Sequence, residues 1–209
     1  MVMGDRPDVE TSSPPEAALD LFGALLTAGD HKARMDFLLY GKETAAALRA
    51  AKRLGANQVA LAKARIAANN TKAGNAKALL NAVPGELHND PGYIFSKIQL
   101  LRRDEKFAEA AQLMLNAPKD PNRLHNLDEW WIERRLLSRK LLDTGETRNA
   151  YLIARDAALP ARDIYKTEQE FTAGWIALRF LNDPADNVRF SSSDKAAYTA
   201  SSNQGPSGI

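Results

Sequence analysis

Apolar residues recur three and four positions apart along most of this chain. Gly, Asn or Pro interrupts them roughly every ten to twenty residues, where helix stops belong. That period excludes strands over the body of the chain and leaves amphipathic helices joined by short breaks. Read along the 209 residues, it predicts helices at about 15–28, 31–40, 42–54, 56–69, 72–83, 90–103, 105–116, 128–143, 146–158 and 163–182. Asp90-Pro91 reads as an N-cap followed by a first-turn proline, and Asp128 as the cap of the eighth helix. Met35, Leu38, Ile66, Leu79, Ile98, Met114, Leu137, Ile153, Tyr165, Phe171, Trp175, Leu178 and Leu181 are expected to face inward.

The second half repeats itself. Leu100-Leu101-Arg102-Arg103-Asp104 closes one helix, and Leu141-Leu142-Asp143 closes another about 40 positions on. Phe180-Leu181-Asn182-Asp183 closes a third. A long helix, a tight turn, a shorter helix and a Pro-containing loop form the rhythm of a tetratricopeptide-like solenoid. One such pair cannot bury both of its apolar faces, so neighbours must stack. The expected fold is all-α: a right-handed superhelix, or α-solenoid, of antiparallel helix pairs with about ten helices. Frequent alanine, as in Ala45-Ala46-Ala47, suits helices that approach closely.

The boundaries follow from composition. Residues 1–14 read as an irregular N-terminal arm, 15–185 as the helical-repeat domain, and 186–209 as a polar Gly/Ser-rich tail. The rhythm stops in mid-unit after Asp183-Pro184, so an uncapped last repeat is expected, and with it a homodimer through that incomplete end. The opening residues lack the apolar core of a signal peptide.

Several kinds of chemistry find no residues here. With no cysteine, disulfides, thiolate metal sites and thiol catalysis are excluded. A formal charge of +2, with basic and acidic residues interleaved, gives no electrostatic footprint for nucleic acid. No apolar run reaches the ~18 residues of a membrane span. His31, His88 and His125 lie far apart near breaks, without metal-ligand spacing, and read as surface or capping groups. No Gly-rich phosphate loop is present, and no cofactor is expected. Glu129 and Glu133, and likewise Glu168 and Glu170, read as solvated ion-pairing carboxylates rather than a glycosidase pair. Trp175 after Gly174 reads as helix packing.

The most distinctive local feature is Trp130-Trp131 beside Arg134-Arg135. Consecutive side chains on a helix point about 100° apart, so one indole is expected in the core and its neighbour at a repeat seam. Their competing reading is a contact with a sugar polymer or partner protein through Trp130, Trp131, Arg134 and Arg135.

Four stretches carry a family resemblance: Asp90-Pro91-Gly92-Tyr93-Ile94-Phe95, the run Ala110 to Pro118, Trp130 to Arg135, and Phe171 to Leu181. Across about 15–185 the chain resembles the N-terminal superhelical region of alphaproteobacterial soluble lytic murein transglycosylases. Those periplasmic enzymes cleave peptidoglycan between N-acetylmuramic acid and N-acetylglucosamine and leave a 1,6-anhydro product. The resemblance implies a non-catalytic scaffold that guides glycan strands or supports a catalytic domain, in the periplasm. In that family the catalytic glutamate sits in a separate C-terminal domain with a Glu-Ser pair and a Gly-Leu-Met-Gln stretch. Neither occurs in this sequence, so no catalytic residue is carried over. A tetratricopeptide-like protein-interaction module is the alternative.

Overall fold

Three of the described helices start where a side chain supplies an acceptor for their free amide groups. Thr27 and Asp30 close a reciprocal capping box at the first described helix. Asp90 accepts from the amides of Gly92 and Tyr93 at 2.8 and 3.2 Å, with Pro91 at the first helical position. The computed structural model describes residues 25–71 and 74–181. Among these it holds nine α-helices and no strand. They are α1 (Ala28–Tyr40), α2 (Thr44–Leu54), α3 (Ala56–Asn69), α4 (Ala76–Asn81), α5 (Pro91–Arg103), α6 (Phe107–Leu115), α7 (Leu127–Asp143), α8 (Thr147–Arg155) and α9 (Asp163–Ile176). A π-helical turn, Ala177–Leu181, continues α9. The expected first helix falls mostly outside the described residues, as do the arm, the tail and the break after Asp183.

The tight turns repeat in atomic detail. The amide of Glu43 bonds the carbonyl of Leu38, that of Lys106 bonds Leu101, and that of Glu146 bonds Leu141, at 2.9, 2.8 and 2.8 Å. In each turn the residue before the donor has positive φ: Lys42 at 62°, Glu105 at 57° and Gly145 at 81°. Ala47, Ala110 and Ala150, four residues past each donor, are all fully buried. One helix-turn-helix unit is therefore built three times: the Leu101 and Leu141 motifs mark two copies, the one at Leu38 was not signalled by them, and the expected Phe180-Leu181-Asn182-Asp183 ending reaches beyond the described residues.

Consecutive helices pack on one another, and the odd-numbered helices also touch in series, α1 on α3, α3 on α5, α5 on α7 and α7 on α9. The result is a two-layered stack of paired helices, an all-α helical-repeat fold. The bond reaching furthest along the sequence, from the Trp130 indole to the Tyr40 hydroxyl, lies within the odd layer. That bond ties the first helix of the layer to the fourth.

Two predictions of detail need correction. The N-cap of α7 is Asn126, whose side chain accepts from the Glu129 amide at 3.1 Å. Asp128 instead ties down the loop before α9, accepting from the amides of Ala161 and Arg162 and from the Arg162 guanidinium. The other concerns α9. Phe171, Trp175 and Leu178 are 55%, 44% and 55% exposed, while Ile176 and Ala177 take the buried positions. The period fixed the helix but not which of its two apolar faces the stack would use.

Candidate functional site

Helix α7 lies between earlier and later helices of the stack, so its residues meet neighbours in several directions. That is why both tryptophans are interior: Trp130 is 1% exposed and Trp131 0%. Trp130 packs on Phe95 with ring centroids 5.1 Å apart, and Phe95 meets Tyr40 edge-on at 5.4 Å. The Trp130 Nε1–H donates to Tyr40 Oη at 3.1 Å. Trp131 reaches the other way, donating from Nε1 to Glu168 Oε2 on α9 at 3.1 Å. The expected division into one core indole and one seam indole is replaced by two interior indoles, one for each neighbouring repeat.

The arginines beside them are also bound internally. Arg135 Nη1 donates to both oxygens of Glu168, at 2.6 and 2.7 Å. Burial raises the Glu168 carboxyl, but the Arg135 and Trp131 hydrogen bonds outweigh it and hold the group below its ordinary value. Arg134 is 1% exposed and donates from Nη1 to the Ile153 carbonyl near the end of α8. Burial pulls its guanidinium down to about 10, with Asp156 acting against that pull. Gln169 grips the same helix end through the carbonyls of Ala154 and Ala157. Two side chains thus cap the C-terminus of α8, where the helix dipole favours a cation. Of the four candidate contact residues, only Arg135 keeps appreciable exposure.

The carboxylates correct the expectation of a solvated surface pair. Glu133 is 2% exposed and takes a forked bond from Arg102 Nε and Nη2, at 2.5 and 3.0 Å. Glu168 is engaged as described. Among the described residues no cluster of three or more His, Asp or Glu could hold a metal ion. No described helix is long and apolar enough to cross a membrane. His88 stacks on Tyr93 at 4.5 Å and bonds the Val83 carbonyl at 3.0 Å. His125 does something the sequence did not signal: its Nε2 stands 3.3 Å from Asp36.

That contact belongs to a charged cluster in the odd-numbered layer. Asp36 on α1 is 2% exposed and pairs with Lys32 and with Arg65 of α3, itself 2% exposed. Lys32 also reaches Asp90, the cap of α5, at 2.9 Å. Burial works to raise the Asp36 carboxyl, and the charges of Arg65 and Lys32 overcome it, leaving the group below its ordinary 3.8. Burial pushes the nearby Tyr40 phenol up to about 12. Gly92 makes room for the cluster, because a Cβ there would collide with the Arg65 guanidinium. Three helices, α1, α3 and α5, and the segment just before α7 are thereby bonded together, which is a locking arrangement more than a reactive one.

The second feature is a groove of about 720 Å3 between α7 and α9. Leu136, Leu142, Phe171, Trp175, Ile176 and Phe180 line its apolar part, with Arg139, Lys140, Asp143 and Glu168 at its polar edges. Trp175 was expected to pack against another helix. It lies edge-on to Phe180, with centroids 5.2 Å apart, and stays 44% exposed. The signal for this face was in the sequence, since Ile164, Phe171, Trp175 and Leu178 follow one another at helical spacings of seven, four and three.

Comparison with models of known protein families, with curated proteins and with solved structures finds no match.

Proposed function

We propose that this chain is the non-catalytic helical scaffold of a peptidoglycan lytic transglycosylase, guiding glycan strands or supporting a catalytic domain in the periplasm. The observation that carries the scaffold role is the closure of the odd-numbered layer across 90 positions by the Trp130–Tyr40 bond, beside the Asp36 cluster. A stack fastened in this way holds a fixed arrangement of helices, which is what a guide or support requires. The assignment to peptidoglycan rests on the resemblance of the motifs at Asp90, Ala110, Trp130 and Phe171. The interior position of Trp130 to Arg135 suits a scaffold motif, because such residues set the shape of the stack.

The test is co-sedimentation of the purified chain with insoluble peptidoglycan sacculi. Binding is expected without release of 1,6-anhydromuropeptides. Release of these products would overturn the non-catalytic reading, and failure to sediment would overturn direct glycan guidance. Trp130→Ala and Trp131→Ala report on folding here, since both side chains are interior. Trp175→Ala is the informative indole variant, because that ring is accessible.

The second reading, a tetratricopeptide-like protein-interaction module, is favoured by the α7–α9 groove, with its apolar floor and mixed-charge edge. A second copy docking through α9 competes for the same face.

A further inference from the structure

Acidic and basic residues interleave along most of the chain, but not between Thr44 and Gly85. Those 42 residues hold seven Lys and Arg and no Asp or Glu. They contain α2, α3 and α4. Of the described cations in this run only Arg65 turns inward, to Asp36, and the others are exposed. Arg49 and Arg53 stand one turn apart on α2, with Lys52 beside them. Like charges at this spacing oppose the helix that carries them. The helix has no carboxylate of its own, so the repulsion is relieved by carboxylates from outside the run.

The opposite balance lies just upstream. Residues 1–24 carry five Asp and Glu against one Arg. Glu16 and Asp20 are four apart, while Leu19, Phe22 and Leu26 follow at spacings of three and four. On a helix these make an acidic stripe beside an apolar one. A matching apolar stripe is open on α1, where Ala33 and Phe37 are exposed one turn apart, Phe37 by 49%. The turn at Lys42 sets α1 and α2 antiparallel, so the chain enters α1 at Thr27 beside the last turn of α2, which holds Lys52 and Arg53. A ten-residue helix turning back from Thr27 is about 15 Å long, enough to pass both arginines of α2.

We propose that residues 15–24 fold back as an amphipathic helix onto the α1–α2 pair, with Leu19 and Phe22 against Phe37 and with Glu16 and Asp20 paired to Arg49 and Arg53. Charge and position favour this occupant. Its sign is opposite to that of the face, and a link of a few residues holds it there at an effective concentration in about the millimolar range. A second copy in an isologous contact would set the acid-free run against itself. The segment supplies the end unit that a stack of repeats needs to close its first apolar face. It also covers a cationic surface that attracts other polyanions.

The test is amide hydrogen exchange of the full chain, read over residues 15–24. A helix this short is marginal in water by itself, so slow exchange there reports docking. Exchange is expected to be at least about tenfold slower than in a synthetic peptide of the same segment. Glu16→Lys/Asp20→Lys should remove most of that protection, and Arg49→Glu/Arg53→Glu should do the same. Combining the four changes swaps the charges across the contact and should restore it. The amides of α7 should exchange alike in every variant, because the rest of the stack stays folded. Where a reversal loosens α7 as well, the neutral pair Glu16→Gln/Asp20→Asn takes its place, with a smaller loss expected. Unprotected amides in the wild type would overturn the proposal, as would protection that survives charge reversal or that the swapped combination fails to restore. Protection that appears only at high protein concentration would also overturn it and give the face to a second copy. None of these readouts depends on binding to sacculi, so the glycan reading stands or falls separately.

Discussion

Two regions of this stack each bury one arginine, and they hold it in different ways. In the first half Arg65 meets a carboxylate, Asp36, which Lys32 and His125 also face. In the second half Arg134 meets a main-chain carbonyl at the end of α8, and no carboxylate lies within ion-pair distance. The cores around them differ in the same sense. Alanine and leucine dominate the first, where Tyr93 is the one aromatic residue. Phe95, Trp130, Trp131 and Tyr151 fill the second.

The contrast can be broken by removing each arginine. Arg65→Met leaves Asp36 buried with its main counter-charge gone, so a loss of about 3–5 kcal/mol is expected in equilibrium urea unfolding. Arg134→Met leaves only the Ile153 carbonyl without its donor and should lose about 1–3 kcal/mol. Equal losses in the two variants would erase the distinction between counter-ion and helix-end solutions.

Acid sharpens it next. Asp36 titrates below its ordinary 3.8 in the folded chain, so its ionised form stabilises the fold. That contribution is complete above the ordinary value and is lost as pH falls through the folded one. Wild-type stability should therefore drop in this acid window, and the drop should be shallower in Arg65→Met. Parallel acid limbs would show that Arg65 does not hold the carboxylate down.

Smaller effects probe the seams. Trp130→Phe keeps an aromatic ring but removes the donor to Tyr40, so a loss of about 1 kcal/mol is expected by the same unfolding measurement. Arg135→Gln breaks a partly exposed pair with Glu168 and should change stability by less than about 1 kcal/mol. A larger loss at Arg135 than at Trp130 would place the main fastening between α7 and α9 rather than between α7 and α1.

Much of the architecture was legible because helix formation is local. The period of three and four, the Asp90-Pro91 start and the Gly55 and Gly145 breaks are all read within one or two turns of chain. The repeated Leu101 and Leu141 endings were visible for the same reason, and each forms the same turn bond. The candidate site was less legible. Trp130, Trp131, Arg134 and Arg135 stand out in sequence, yet three of the four are interior. Prominence in sequence does not distinguish a large side chain that fills a seam from one that meets a ligand.

By itself, then, the sequence determined the helices, their pairing and their repetition, because those follow from propensity, capping and short-range spacing. The tertiary structure alone decided which of α9's two apolar faces is buried, that Glu133 faces Arg102, and that His125 and Trp130 close back onto α1. Those outcomes depend on the rotation and curvature of packed helices. They bring together residues separated by about 30 to 90 positions, a separation over which no local period carries information.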